Sequence, residues 1–157
     1  MSQGDLAILS IEDPAGPEAR NCLARYFAEL SERFEGGFDP EADASASAPE
    51  MSAPNGRFVV GRQGGGAIAC GGLKRAGPDF GEVKRVWVAP EARGQGLSRR
   101  IMALLEDEAR AMGLRRLRLD TNQVLHEAQS LYLSLGYRAV ERFNDNPWAH
   151  CFFERDL

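Results

Sequence analysis

The sequence predicts one mixed domain of helices and strands, in the α/β (α+β) class, from its length, composition and apolar spacing. The chain has 157 residues, and a domain of this size buries roughly 70% of its surface on folding. Apolar residues make up 43% and charged residues 27%, which are ordinary values for a globular protein. Segments with helical spacing alternate with short apolar runs, which indicates helices and strands in one core.

The chain begins with a predicted strand and helix. Residues 6–10 form an apolar run typical of a strand, and the Asp, Pro and Gly residues within 13–17 predict a turn. Apolar residues then recur at helical spacing from 19 to 34 and predict one broad apolar stripe. Gly36 and Gly37 end this helix.

A loop and a hairpin follow. Residues 39–56 are rich in Ala, Ser, Pro and acids and predict a mobile loop. Residues 57–61 and 67–73 predict two strands joined by the glycine-rich turn at 63–66. These glycines do not suit a nucleotide, because no helix N-terminus follows them.

The second half alternates between the two kinds of element. Strands are predicted at 82–88, 116–120, 137–140 and 150–153, and helices at 98–112 and 128–135. Even spacing along the first of these strands predicts that Glu82 and Val88 share one face.

Composition excludes several classes of function. The net charge of −4 and the lack of a long basic run argue against a nucleic-acid partner. Three cysteines without CxxC spacing argue against a metal site and against a disulfide framework, so we expect no metal. No apolar run approaches the roughly 20 residues that span a bilayer, and the N-terminus lacks a signal peptide. We therefore expect a cytoplasmic protein with no membrane partner.

The most informative segment covers residues 86–101, where a predicted strand runs through a glycine-containing turn into a helix. Gly94 and Gly96 remove side chains where a backbone would approach a bulky anion. The first N–H groups of a helix lack intrahelical partners and carry partial positive charge. This arrangement suits a pyrophosphate.

Two other phosphate-binding motifs fit less well. A dinucleotide-binding unit of an oxidoreductase requires a third glycine, and Arg99 stands in its place. A P-loop requires Gly-Lys-Ser/Thr after the glycines, which is absent.

Two motifs resemble the GNAT superfamily of acyl-CoA-dependent N-acyltransferases. The first is Gln or Arg, two residues, Gly, one residue, then Gly or Ala, and Arg93, Gly96 and Ser98 fall on it with a small departure at Ser98. The second is a helix at 128–137 that carries Tyr132 shortly before a Gly-Tyr pair. The resemblance covers roughly the second half of the chain.

The resemblance implies one GNAT-like domain over residues 1–157, with a mixed, mostly antiparallel central sheet flanked by helices. It implies transfer of an acetyl group from acetyl-CoA, a cosubstrate, to a primary amine of a small molecule or peptide. The amine would attack directly in a ternary complex, and a homodimer is common among relatives. A non-catalytic acyl-CoA-binding sensor on the same fold remains the alternative.

The resemblance also implies site residues. Tyr132 would be the general acid and Glu82 the general base, acting through a water. The alternatives are a core aromatic for Tyr132 and a surface carboxylate paired with Lys84 or Arg85 for Glu82. Cofactor contacts are implied for Trp87, Val88, Arg93, Gly94, Gln95, Gly96, Leu97, Ser98 and Asn122.

The acceptor side is less defined by sequence. Six residues are candidates for it, three from the tail and three by analogy with the first helix and its loop: Asn144, Asp145, His150, Arg25, Phe34 and Asp39. A turn between the last two strands explains the Asn-Asp-Asn-Pro stretch equally well.

Overall fold

The computed structural model describes residues 6–40 and 47–157, and within them the chain forms one sheet with helices on both sides. The strands are β1 (Ile8–Ile11), β2 (Gly56–Gln63), β3 (Gly66–Arg75), β4 (Phe80–Val88), β5 (Arg116–Thr121), β6 (Arg138–Val140) and β7 (Cys151–Asp156). The helices are α1 (Pro17–Arg33), α2 (Leu97–Ala111) and α3 (His126–Ser134).

The sheet has the order β1-β2-β3-β4-β5-β7-β6. Neighbouring strands are antiparallel except for β4 and β5, which are parallel. The predicted mixed, mostly antiparallel sheet flanked by helices is therefore confirmed.

Helices cover the two faces of the sheet. On one face, the indole N–H of Trp87 on β4 donates to Glu29 of α1. On the other face, Ile101 of α2 lies against Gly71 of β3, where an added Cβ would come within 2.6 Å of the Ile101 side chain. Val86 of β4 lies against the same glycine. α3 lies on the α2 side, because the Tyr137 hydroxyl that follows it donates to Glu106 of α2.

The two parallel strands separate at their carboxyl ends. β4 and β5 pair only where Phe80–Glu82 lie beside Arg116–Arg118. β4 then continues to Val88 and β5 to Thr121 without pairing to each other. This separation opens a gap in the middle of the sheet, directly before the start of α2.

A bulge in β4 changes which side chains share a face. Cys70 pairs with Trp87 but Gly72 pairs with Lys84, so β4 has one extra residue between these pairs. Arg85, within the bulge, has a φ of 62°. The expectation that Glu82 and Val88 share a face is therefore wrong, because the extra residue reverses the alternation after Lys84.

The predicted loop at 39–56 lies partly outside the described residues, at 41–46. Of the rest, Pro49–Met51 forms a single 3₁₀ turn. Met51 is only 2% exposed and packs on β3, where a Cβ at Gly72 would lie 2.3 Å from its sulfur. This part of the segment is therefore anchored in the core.

Candidate active site

A cavity of about 410 Å³ lies at the gap between β4 and β5. Its walls come from the ends of these strands, the N-terminus of α2, one side of α1, and α3. The segment between β6 and β7 closes it through residues 146–149. Elements from both halves of the chain therefore build one site.

The turn that enters α2 forms one end of this cavity. Gly94 and Gly96 line it and have φ values of 82° and 74°. A Cβ at either glycine would meet no described atom within 4 Å, so backbone conformation and not space requires glycine here. No side chain caps the N-terminus of α2, which leaves its first N–H groups directed at the turn.

A chain of ion pairs links this turn to α1 and α3. The Arg93 guanidinium lies 2.6 Å from Glu29 Oε1, and Arg33 Nη1 lies 3.4 Å from Glu29 Oε2. Arg33 also bonds to Glu127 at the start of α3, with 3.2 Å between Nη2 and Oε2. Burial alone would raise the pKa of Glu29, but hydrogen bonds from Trp87, Arg93 and Arg33 outweigh it and hold that pKa below its usual value.

The main chain of Val88 faces the gap. The N–H of Ala89 donates to the carbonyl of Ile68 at 2.7 Å, which makes Ala69 and Val88 a non-hydrogen-bonded antiparallel pair. The N–H and C=O of Val88 therefore point away from β3, toward the edge of β4 that is not paired with β5. The carbonyl of Val88 accepts a bond of 3.0 Å from Arg93 Nε on that side.

Two phenols line the cavity, Tyr132 from α3 and Tyr26 from α1. Burial and the negative charge of Asp120 raise the pKa of Tyr132 well above its usual range. Burial, with Tyr132 nearby, raises the pKa of Tyr26 in the same way. Within the described chain, the Tyr132 hydroxyl makes no hydrogen bond. Tyr132 is thus a protonated donor whose hydrogen is not committed elsewhere.

A buried cluster of charges adjoins the cavity on the α1 side of the sheet. Lys84 Nζ lies 3.2 Å from Glu82 Oε2 and 3.3 Å from Asp120 Oδ2. Asp120 also accepts from two amides, Asn144 at 2.6 Å and Asn146 at 3.4 Å. Glu82 has one further partner, Arg118 at 3.4 Å. Within the described chain, Glu82 is therefore buried with fewer contacts than Asp120.

Most of the predicted cofactor residues lie at the cavity. Those among its lining residues are Trp87, Val88, Arg93, Gly94, Gly96, Leu97, Ser98 and Asn122, together with Tyr132. Gln95 and Glu82 are not among the lining residues that the structure describes. Gln95 is exposed and bonds to Gln63, while Glu82 reaches the cavity only through Lys84.

The side chain of Asn122 has a structural task. Its amide nitrogen donates to the carbonyl of Trp148 at 2.7 Å, and its oxygen accepts from the N–H of Val124 at 3.0 Å. One amide hydrogen and one lone pair of the side-chain oxygen remain for a further contact.

The acceptor-side candidates separate clearly. Phe34 lines the cavity, whereas Arg25, Asp39, Asn144, Asp145 and His150 are not among its described lining residues. Arg25 instead makes a bidentate pair with Glu91. Asn144 acts indirectly, through its bond to Asp120.

Sequence reasoning missed several lining residues. They are Tyr26, Glu29, Arg33, Lys84, Arg85, Phe38, Asp120 and Trp148. The only available indication was the i,i+4 spacing of Glu29 and Arg33 on a predicted helix. Nothing in the sequence showed that α1 would place this pair over the gap.

Comparison with known proteins agrees with this geometry. Residues 23–137 match the model of the acetyltransferase (GNAT) family. The chain belongs to this family. Membership in the GNAT family supports acyl-CoA-dependent N-acyltransferase activity and makes the chain an enzyme of the transferase class.

Individual relatives point the same way. An IAA acetyltransferase of Azospirillum brasilense is 35% identical over 116 residues, covering 73% of this chain and 71% of the relative. The N-alpha-acetyltransferase RimI of Mycobacterium tuberculosis is 33% identical over 120 residues, covering 74% of this chain and 73% of that protein.

Solved structures share the fold. A Klebsiella pneumoniae protein assigned provisionally as an acyl-CoA N-acyltransferase has a TM-score of 0.78 at 28% identity, with 97% of this chain and 98% of that chain covered. An aminoglycoside 6'-N-acetyltransferase solved with coenzyme A has a TM-score of 0.69 at 18% identity, covering 95% and 96%. Coenzyme A is thus bound by a protein of this fold.

Two further properties concern only the residues that the structure describes. None of their helices has the length and apolar character needed to cross a membrane. They contain no group of three or more His, Cys, Asp or Glu residues arranged to hold a metal ion.

Proposed function

We propose that this GNAT protein transfers an acetyl group from acetyl-CoA to a primary amine of a small molecule or peptide, by direct attack in a ternary complex. One observation carries the proposal. A single cavity joins the uncapped N-terminus of α2, the inward-facing main chain of Val88 and the uncommitted hydroxyl of Tyr132.

The turn before α2 suits the diphosphate of the cosubstrate. The N–H groups of Leu97 and Ser98 begin the helix without intrahelical acceptors, and the helix dipole favours negative charge there. Arg93 and Arg99 line the same end of the cavity and supply two cations. We propose that Gly94 and Gly96 hold this turn in the shape that the phosphates require.

The gap between β4 and β5 suits the thioester. The N–H of Val88 faces the gap and would polarise the carbonyl oxygen as the amine attacks. The bond from sulfur to the carbonyl carbon breaks as the bond from nitrogen forms. Tyr132, kept protonated by burial, would give its proton to the departing sulfur.

The amine must lose a proton before or during attack. We propose Glu82 as the base, reached through a water, because among the described residues its carboxylate has two polar contacts, of 3.2 and 3.4 Å. Asp120 lines the cavity but holds one ammonium and two amides, so we assign it the positioning of Lys84. Lys84 connects the two carboxylates.

The proposal is tested by mixing the protein with acetyl-CoA and a panel of primary amines and following release of free thiol. Thermal unfolding with acetyl-CoA or NAD checks binding independently, because a ligand of the native state raises Tm. We expect a rise with acetyl-CoA only, and thiol release with at least one amine.

The outcomes separate enzyme from sensor. Stabilisation by acetyl-CoA with no turnover on any amine would favour a non-catalytic acyl-CoA sensor. A rise in Tm with NAD and none with acetyl-CoA would contradict the proposed use of the α2 turn.

A further inference from the structure

Three aromatic side chains, Phe34, Phe38 and Trp148, line the cavity and are here called the aromatic wall. The ring centroids of Phe38 and Trp148 are 4.8 Å apart, and those of Phe34 and Phe38 are 6.0 Å apart. These separations are those of aromatic rings in mutual contact. The wall is therefore one continuous apolar surface.

The wall is supported from behind and fixed at its far end. Phe27, which does not line the cavity, stacks on Phe38 at 5.6 Å. The backbone N–H of Trp148 donates to Asn146 Oδ1 at 3.0 Å. The backbone carbonyl of Trp148 accepts from the side-chain amide of Asn122 at 2.7 Å. A ligand ring would therefore meet rings that are already positioned, which reduces the entropy lost on binding.

The wall lies beyond the phosphate end of the cavity. Glu29 of α1 contacts Arg93 of the α2 turn, and Phe34 follows Glu29 by five residues. Five helical residues advance about 7.5 Å along the axis. The wall thus begins more than one turn of α1 away from the residue that contacts the proposed cofactor turn.

Charge at the cavity argues against a polycationic acceptor. Among the described lining residues every carboxylate has a cationic partner: Glu29 with Arg93, Asp120 with Lys84, and Glu127 with Arg33. Two of the five lining cations, Arg93 and Arg99, are those proposed to face the diphosphate, and the other three, Arg33, Lys84 and Arg85, equal the lining carboxylates in number. A second ammonium group would therefore have to share a carboxylate that already has a cationic partner.

We infer that the acceptor is a primary amine carried on an aromatic or similarly flat apolar ring, without a second positive charge. The inference rests on the proposed function, because it names the acceptor class of the same site. Ring and wall would make offset or edge contacts while the amine reaches toward the gap between β4 and β5.

The test is calorimetric titration of 2-phenylethylamine and of butane-1,4-diamine into the protein, with and without saturating coenzyme A. We expect 2-phenylethylamine to bind at least tenfold more tightly than the diamine. Phe38→Ala or Trp148→Ala should weaken 2-phenylethylamine binding about tenfold, since one aromatic contact is worth roughly this factor.

Controls keep the test decisive. Phe38→Leu retains apolar bulk without the aromatic ring and guards against a folding defect. Ile8→Ala changes a side chain that is 70% exposed on the edge strand β1 and should leave both affinities unchanged. Circular dichroism and Tm establish that each variant is folded.

Three results would overturn the inference: equal or tighter binding of the diamine, unchanged 2-phenylethylamine affinity in folded wall variants, or no binding of either amine. Thiol release from acetyl-CoA is measured separately. Turnover on the diamine would leave the proposed acetyl transfer intact and refute only the acceptor class. Ring-dependent binding without any turnover would refute the proposed acetyl transfer and leave the preference for an aromatic amine intact.

Discussion

Replacing Tyr132 with phenylalanine removes one hydroxyl from the cavity and keeps the ring. The ring centroid lies 6.1 Å from that of Tyr137 and 6.1 Å from that of Phe153, and these contacts survive the change. The lost hydroxyl makes no hydrogen bond within the described chain. We therefore expect the free energy of unfolding to change by less than about 0.5 kcal/mol.

The effect on turnover should be far larger. A positioned general acid contributes roughly 10²–10⁴ in rate, which corresponds to about 3–5 kcal/mol in the activation free energy. We expect kcat to fall by this factor while the Kd of acetyl-CoA changes less than about threefold. This division is typical of an interaction made only in the transition state.

The matched control is Tyr26→Phe. Tyr26 is a second phenol of the same cavity, and burial raises its pKa in the same direction. Loss of the Tyr26 hydroxyl should reduce kcat only a few-fold if Tyr132 alone protonates the sulfur. Equal losses in the two variants would refute the assignment, as would unchanged turnover in Tyr132→Phe.

The pH profile gives a second check on Tyr132. Burial and the charge of Asp120 raise its pKa above the ordinary value of about 10. The phenol therefore stays protonated below that pH, and its ionisation should produce no loss of kcat between about pH 6 and pH 9. A fall in wild-type kcat within this range that disappears in Tyr132→Phe would contradict the direction of the shift.

Three further predictions concern the turn, the ion pairs and the core. Gly96→Val should abolish acetyl-CoA binding by titration and cost about 1–3 kcal/mol of stability, whereas Gly113→Val, at a similar φ of 80°, should cost stability alone. Glu29→Gln should lower Tm at pH 7, because a carboxylate with a lowered pKa stabilises the fold fully above its unfolded value of about 4.3. The difference should shrink as the pH falls below that value and through the lower folded-state pKa; a Tm difference that does not shrink on acidification would contradict this. Tyr137→Phe removes the 2.8 Å bond to buried Glu106 and should cost about 1.5–3 kcal/mol in urea unfolding with kcat unchanged.

The turn proposed to hold the cofactor was predictable because its sequence pattern is local. A strand, two glycines and a helix follow one another within residues 86–101, so their relative positions depend little on the rest of the fold. The structure places Gly94 and Gly96 at positive φ before an uncapped helix. The backbone conformation, which periodicity does not show, is the reason that glycine is needed there.

Glu82 illustrates where spacing fails. Strand alternation predicts that Glu82 and Val88 share a face, but the bulge at Arg85 inserts one residue and reverses the alternation. The bulge depends on how β3 and β4 pair, and pairing partners are not encoded in the spacing of one strand. The base assignment of Glu82 stays a proposal, as do the cytoplasmic location and the homodimer.

The proposed acceptor end could not be predicted because distant segments build it. Phe34 directly follows α1, Phe38 comes from the segment after it, and Trp148 from the connection between β6 and β7. On α1 the apolar side chains that pack on the sheet are adjacent to the side chains that line the cavity. Helical periodicity therefore does not distinguish the two groups. Phe34 illustrates this, because it is buried at 8% exposure and also lines the cavity.

This division of the site has a consequence for specificity. The features that suit acetyl-CoA are main-chain groups of a turn and a strand end, which side-chain substitutions elsewhere alter little. The features proposed to face the acceptor are side chains on three separate segments, each of which can change without disturbing the α2 turn. Substitutions in the aromatic wall should therefore shift the choice of amine while leaving acetyl-CoA affinity in place, and a variant such as Trp148→Ala that lost both together would show that the two ends are not independent.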